Sequence, residues 1–100
     1  MLRRSSSKYE IRYEKSAAKF FSKHEDLRKK YEADLNTFLA DESSARVDVK
    51  IIKGKRDEYY RMRIGSWRVI FMMTDGKITV INTILAGSRG DIYKKIGGLK

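Results

Sequence analysis

The spacing of apolar positions changes several times along the chain, and each change marks an element. Lys8–Tyr13 alternates, with Tyr9, Ile11 and Tyr13 on one side and Lys8, Glu10 and Arg12 on the other, which predicts a half-buried strand. The period then becomes helical over Glu14–His24, where Tyr13, Ala17, Phe20, Phe21 and His24 recur on one face. Asp26–Ala40 repeats that pattern with Leu27, Tyr31, Leu35, Phe38 and Leu39, and Asp26 is placed to cap its start. A short polar joint between the two segments predicts an antiparallel helical hairpin whose apolar stripes cover one face of a sheet. Asp41–Asp48 reads as a polar loop, and Val49–Ile52 as an apolar run that either starts the sheet or packs as an extended segment.

The stretch from Tyr59 to Tyr93 organises the rest. Gly65-Ser66 and Asp75-Gly76 are turn pairs between β-branched and aromatic runs, so they predict a three-strand meander over Tyr59–Ile64, Trp67–Thr74 and Lys77–Ala86. If Gly65-Ser66 is a two-residue loop, Ile64 faces Trp67, Arg63 faces Arg68, Met62 faces Val69 and Tyr60 faces Phe71. Strand alternation then puts Tyr60, Met62, Ile64, Trp67, Val69, Phe71 and Met73 on one face, and Arg61, Arg63, Arg68, Ile70 and Met72 on the other. A tight Asp75-Gly76 turn adds Ile78, Val80 and Ile84 to the apolar face, and Thr79, Ile81 and Thr83 to the other. It also places Asn82 among the apolar side chains unless a bulge shifts the register. Asp91–Ile96 has the length of a single helical turn, with Asp91 as its cap, and Gly97–Lys100 reads as a frayed end.

Composition narrows the class. The chain has 100 residues and no cysteine or proline. Residues 1–7 read as a disordered basic tail and residues 8–100 as one domain. Without cysteine there is neither disulfide nor thiolate zinc site, which fits a reducing compartment. There is no apolar run long enough to span a bilayer and no signal peptide, so the expectation is a soluble, cytoplasmic protein. The net charge is +10, and it is unevenly spread. Residues 1–49 carry eleven Lys/Arg against nine Asp/Glu, while residues 50–100 carry twelve against four. The excess on the sheet half points to nucleic acid, an acidic protein partner, or both.

The arginines sharpen this. Like charges facing each other across strands are destabilising, so a sheet built only for stability has no reason to set Arg63 against Arg68 beside Arg61. A solvated basic face, or arginines paired with internal carboxylates, is one reading. The other is a site for a polyanion, because the guanidinium fork suits phosphate. Lys50, Lys53, Lys55 and Arg56 lead directly into this strand. There is no metal constellation, glycine-rich phosphate loop or nucleophile elbow, so no cofactor is expected. His24, the only histidine, belongs to the helical hairpin. Arg61, Arg63, Arg68, Arg89, nearby lysines and Tyr93 remain, a set able to stabilise the charge of a phosphoryl-transfer transition state. Such a set suits RNA cleavage by the ribose 2′-hydroxyl, which DNA lacks.

Ile52-Lys53-Gly54, the run Tyr59–Gly65, Trp67–Phe71, Asp75-Gly76-Lys77, and Gly87-Ser88-Arg89 ending in Tyr93 together resemble the RelE/ParE superfamily of toxins from bacterial type II toxin–antitoxin systems. The resemblance covers about Lys8 to Ile96. It implies an α+β fold, with an N-terminal strand and an antiparallel helical hairpin packed on one face of a twisted antiparallel sheet, and a short C-terminal helical turn. In the RelE branch it implies a metal-independent, ribosome-dependent endonuclease that enters the A site and cuts mRNA after activation of a 2′-hydroxyl. It also implies a cognate antitoxin and a toxin–antitoxin hetero-oligomer, with no membrane partner.

Carried over residue by residue, Arg61 and Arg63 match two basic strand positions that are usually lysines and include the general base. Arg68 matches the phosphate-stabilising arginine. Arg89 matches an arginine on the leaving group or phosphate, and Tyr93 a tyrosine that orients substrate. Lys53, Lys55, Arg56, Arg63, Lys94 and Lys95 are then expected on RNA and ribosome. Arginine at position 61 leaves the base open among Lys53, Lys55 and Tyr93, or passes more of the rate to positioning by the ribosome. Ser88 stands where many relatives have a basic residue or histidine. Two other readings stay open: the ParE branch, whose members inhibit DNA gyrase, and a non-catalytic basic module that binds RNA or an acidic protein.

Overall fold

The computed structural model describes residues 9–41, 46–53 and 58–96, apart from the side chains of Lys53, Tyr93 and Ile96. The tail Met1–Ser7, the end Gly97–Lys100, and Lys55 and Arg56 lie outside the described residues. In chain order the elements are β1 (Tyr9–Tyr13), α1 (Lys15–Ser22), α2 (Glu25–Ala40), β2 (Asp48–Lys53), β3 (Glu58–Ile64), β4 (Trp67–Thr74), β5 (Thr79–Ser88) and α3 (Arg89–Ile96).

The meander forms around the first turn as its residues require. Gly65 has φ 59°, and no described residue other than glycine has positive φ. A glycine in that region followed by an ordinary residue is a type II′ turn, whose twist matches the flanking strands. Ile64 accordingly pairs with Trp67, Arg63 with Arg68, Met62 with Val69 and Tyr60 with Phe71.

The second turn departs from expectation. Thr74 pairs with Val80, so the connection is longer than Asp75-Gly76 and the partner of each β4 residue from Phe71 to Thr74 moves along by three. An odd shift turns every side chain to the other face. Ile81 and Thr83 therefore point into the main core, while Ile78 is left exposed in the loop. Gly76 lacks the positive φ that a tight Asp-Gly turn demands, and Thr79 Oγ1 donates to Asp75 Oδ1 at 3.2 Å across the longer loop. Asn82 leaves the apolar face, and its Nδ2 donates to Glu14 Oε2 at 2.9 Å. A bulge does occur, but at Ile84: Ile70 pairs with Leu85 and Phe71 with Thr83. Ile84 and Leu85 both pack against the second core described below.

The sheet order is β1-β5-β4-β3-β2. It is mixed rather than wholly antiparallel, because β1 lies parallel to β5. Parallel neighbours need a long connection, and here everything between the two strands supplies it. The run Val49–Ile52 does join the sheet, within a β2 that starts already at Asp48 and pairs antiparallel with β3.

The hairpin α1–α2 covers one face, with Ala17, Phe21, Tyr31, Leu35 and Phe38 packed on Ile11, Met62, Val69, Phe71 and Ile81. Inside this core the Tyr31 hydroxyl and Thr83 Oγ1 lie 2.7 Å apart, which satisfies both buried groups. The cap of α2 is His24 rather than Asp26, with Glu25 and Asp26 together in the first turn, where carboxylates favour the helix dipole.

On the opposite face α3 sits over a smaller core of Tyr59, Ile70 and Ile92. It is longer than a single turn. Ser88, not Asp91, caps it: Ser88 Oγ accepts from the Asp91 backbone N–H at 3.3 Å. Among the described residues no helix is long and apolar enough to cross a membrane.

Candidate active site

Arg61 and Arg63 alternate with Tyr60, Met62 and Ile64 along β3, and Arg68 alternates with Trp67 and Val69 on β4. Because the second set faces the hairpin, the arginines face away from it. The register places Arg63 directly opposite Arg68 and Arg61 opposite Ile70. On the next strand Lys50 pairs with Arg61 and Asp48 with Arg63. One patch of sheet thus gathers Lys50, Arg61, Arg63 and Arg68, with the carboxylate of Asp48 beside Arg61 and Arg63. It borders α3, whose Ile92 rests on Tyr59 and Ile70.

Asp48 pairs only loosely with its two nearest arginines. Arg61 Nη2 lies 4.0 Å from Asp48 Oδ1, and Arg63 Nη1 lies 4.0 Å from Asp48 Oδ2. A charge-assisted hydrogen bond closes to about 2.7–2.9 Å. The Asp48 side chain is 42% exposed and that of Arg63 57%, so solvent screens the pair strongly. The Arg61 side chain is only 16% exposed, and its Nε is buried with no hydrogen-bond partner among the described residues. Holding a guanidinium in that state costs stability. An anion arriving on the patch would offset part of that cost.

Arg68 is set differently. It is 6% exposed, and its Nη1 donates to the carbonyl oxygens of Gly65 and Trp67, each at 3.0 Å. One end of its fork is therefore spent on the type II′ turn of its own hairpin.

The remaining expected residues divide. Gly87 pairs with Arg68, and Arg89 follows two positions later as the first residue of α3, so both arginines belong to the same end of the sheet. Arg89 is exposed, as are Lys94 and Lys95 in the last turn of α3. Tyr93 lies on α3 and Lys53 ends β2, but their side chains, like all of Lys55 and Arg56, lie outside the described residues. Asp48 is the addition that the sequence reading missed as a site residue, while Lys50, expected in the basic cluster leading into β3, pairs with Arg61 on the patch. The alternation Asp48-Val49-Lys50-Ile51 was the available signal, once that run is taken as a strand antiparallel to the next.

His24 is on the other side of the sheet. Its ring stacks on Phe20 with centroids 4.3 Å apart and tilts against Trp67 at 5.0 Å. That end of the hairpin forms an open cleft of about 620 Å³ where Lys23 and Lys30 are balanced by Glu25 and Asp26. It lacks the one-signed charge of the arginine patch. Burial and Glu32 push the Tyr13 phenol far above the ordinary 10.0, and burial does the same to Tyr31. Both phenols sit under the hairpin, away from the arginines.

No family model matches the chain, and no curated protein matches it. Among solved structures it is similar to the RelB-RelE antitoxin-toxin complex from Methanococcus jannaschii, with a TM-score of 0.57 and 25% identity over 84% of this chain and 96% of that one. That likeness supports a place for this chain in the RelE-like toxin superfamily. Its five-stranded mixed sheet with a helical hairpin on one face is the RelE-like fold. Within that RelE-like frame, the face left open by the hairpin carries the arginines, and it does so through strand register alone.

Proposed function

We propose that this protein is the toxin of a toxin–antitoxin pair and that it cuts mRNA on the ribosome. The observation carrying this reading is the gathering of Arg61, Arg63 and Arg68 on the sheet face opposite the hairpin, with Asp48 standing 4.0 Å from both Arg61 and Arg63. The likeness to a solved antitoxin–toxin complex supports the toxin assignment. In the reaction, Arg61 and Arg63 grip the scissile phosphate and the fixed positive charge of Arg68 faces the developing negative charge, as preorganised cations do in phosphoryl transfer. Arg89, at the start of α3, reaches the leaving oxygen or an adjacent phosphate, and Tyr93 orients the nucleotide. Lys53, Lys55, Arg56, Lys94 and Lys95 extend the basic footprint toward ribosomal RNA. The setting is the cytoplasm, where message is translated.

The antitoxin that fits is an acidic segment, disordered until bound, lying over the same arginines. A second reading, a basic module that binds RNA without cutting it, is favoured by one observation: Arg68 Nη1 is already engaged by two backbone carbonyls. Mapping transcript ends after induction, with and without active translation, decides between them. The nuclease reading requires new ends that vanish when translation is blocked. Intact transcripts refute it, and intact transcripts with blocked DNA supercoiling instead assign the protein to gyrase inhibition.

A further inference from the structure

Arginine at position 61 cannot itself be the general base of the reaction above, since a guanidinium stays protonated in proteins. The face itself offers a replacement. Asp48 pairs with Arg63, so its side chain is on the arginine side of the sheet. Its two oxygens each approach a different guanidinium, Arg61 and Arg63, at 4.0 Å. That separation leaves the carboxylate close to both cations yet committed to neither. A phosphate gripped by the same two guanidinium groups would set its vicinal 2′-hydroxyl within hydrogen-bond reach of the carboxylate. Unlike an ammonium or guanidinium, an ionised carboxylate is purely an acceptor, with no proton to lose first.

The other carboxylates of the sheet and of α3 do not meet these conditions. Glu10 also faces this side, but from the opposite edge strand, and it accepts from Arg12 Nε at 2.6 Å. Glu58 alternates to the hairpin side. Asp91 makes no ion pair with the three strand arginines among the described residues.

We propose that Asp48 is the general base of the cleavage, taking the proton of the ribose 2′-hydroxyl at the scissile position. The assignment rests on the nuclease reading. In this step O2′ forms a bond to phosphorus and the bond from phosphorus to O5′ breaks. The 2′ proton passes to Asp48, and water protonates the leaving 5′ oxygen. The products are a 2′,3′-cyclic phosphate and a 5′-hydroxyl, and no electrons are exchanged with a further reactant.

The test is single-turnover cleavage of message on programmed ribosomes by the full chain, comparing wild type with Asp48→Asn and Asp48→Glu. Ribosome affinity and thermal melting are measured in parallel. Loss of a general base predicts a cleavage rate about 10²–10⁴-fold lower at saturation for Asp48→Asn. Affinity should be equal or tighter, because a negative charge has left a basic patch. Asp48→Glu should recover part of the rate. Cleavage by folded Asp48→Asn at the wild-type rate or faster overturns the assignment and makes Asp48 a mere decoy for the arginines. If Asp48→Asn fails to fold, Asp48→Ser takes its place, and an undiminished rate there overturns it equally. A wild type that leaves ribosome-bound message intact removes the nuclease reading and this assignment together. A wild type that cuts beside an equally active Asp48→Asn removes the assignment alone.

Discussion

Replacing Arg68 by alanine separates what this side chain does for the fold from the phosphate role proposed for it. It is 6% exposed, and its Nη1 donates to the carbonyls of Gly65 and Trp67 at 3.0 Å each. A hydrogen bond from a charged donor contributes about 1.5–3 kcal/mol, so the two together amount to roughly 3–6 kcal/mol gross. Removing the guanidinium also removes a buried Nε that has no hydrogen-bond partner among the described residues, which lowers the loss, and two further effects reduce it. Gly65 is exposed, so its carbonyl regains water when the guanidinium is gone. Arg63, directly opposite, is relieved of a like charge, which returns roughly 0.2–1 kcal/mol. The net loss is about 2 kcal/mol. For a chain of 100 residues that lowers the melting midpoint by roughly 8–16 °C. Urea or thermal melting of the purified variant measures it, and Arg68→Lys should fall between the two because it keeps the charge without the fork. A midpoint within about 2 °C of wild type, under roughly 0.5 kcal/mol, would refute the clamp. It also follows that loss of toxicity in Arg68→Ala counts as a phosphate effect only at temperatures where the variant is folded.

Three further outcomes follow from the same geometry. Arg61→Met keeps the buried stem and removes an unpartnered Nε, so it should gain about 1 kcal/mol of stability in denaturant titration while losing toxicity; marked destabilisation would contradict the reading of Arg61. Gly65→Ala meets no atom within 4 Å, so its cost is purely the left-handed backbone, about 1–2 kcal/mol, and Gly65→Asn should cost less. Tyr13 and Tyr31 are both held protonated above the ordinary 10.0, so the folded state binds more protons than the unfolded one at alkaline pH. Their stabilisation is complete below about pH 10 and is lost as pH rises beyond it, by roughly 1.4 kcal/mol per pH unit for each group. Chemical denaturation between about pH 8 and 11.5 measures that slope, and Tyr13→Phe should reduce it.

Much of this was legible in the sequence because local chemistry and global packing agreed there. The Gly65-Ser66 turn fixed a register, and that register alone put three arginines on one face. The hairpin was legible for a similar reason, since its apolar stripes had one sheet face to cover. Asp75-Gly76 misled because its dipeptide favours a tight turn while the core wanted Ile81 and Thr83 inside; the packing demand prevailed and the loop lengthened. The parallel docking of β1 on β5 joins segments far apart in the chain, and nothing local announces it. Asp48 was hidden by its neighbours: after a polar run it looked like loop, and only the pairing of β2 with β3 turns it toward the arginines.

The most direct measurement is cleavage of a programmed ribosome's message by the purified protein, with one ribose at the cut position replaced by 2′-deoxyribose. The account predicts a 2′,3′-cyclic phosphate end on the ordinary message, none on the deoxy-substituted one, and no cut by Arg61→Met on either. Cutting that survives loss of that single hydroxyl, or an ordinary message left whole, would contradict it.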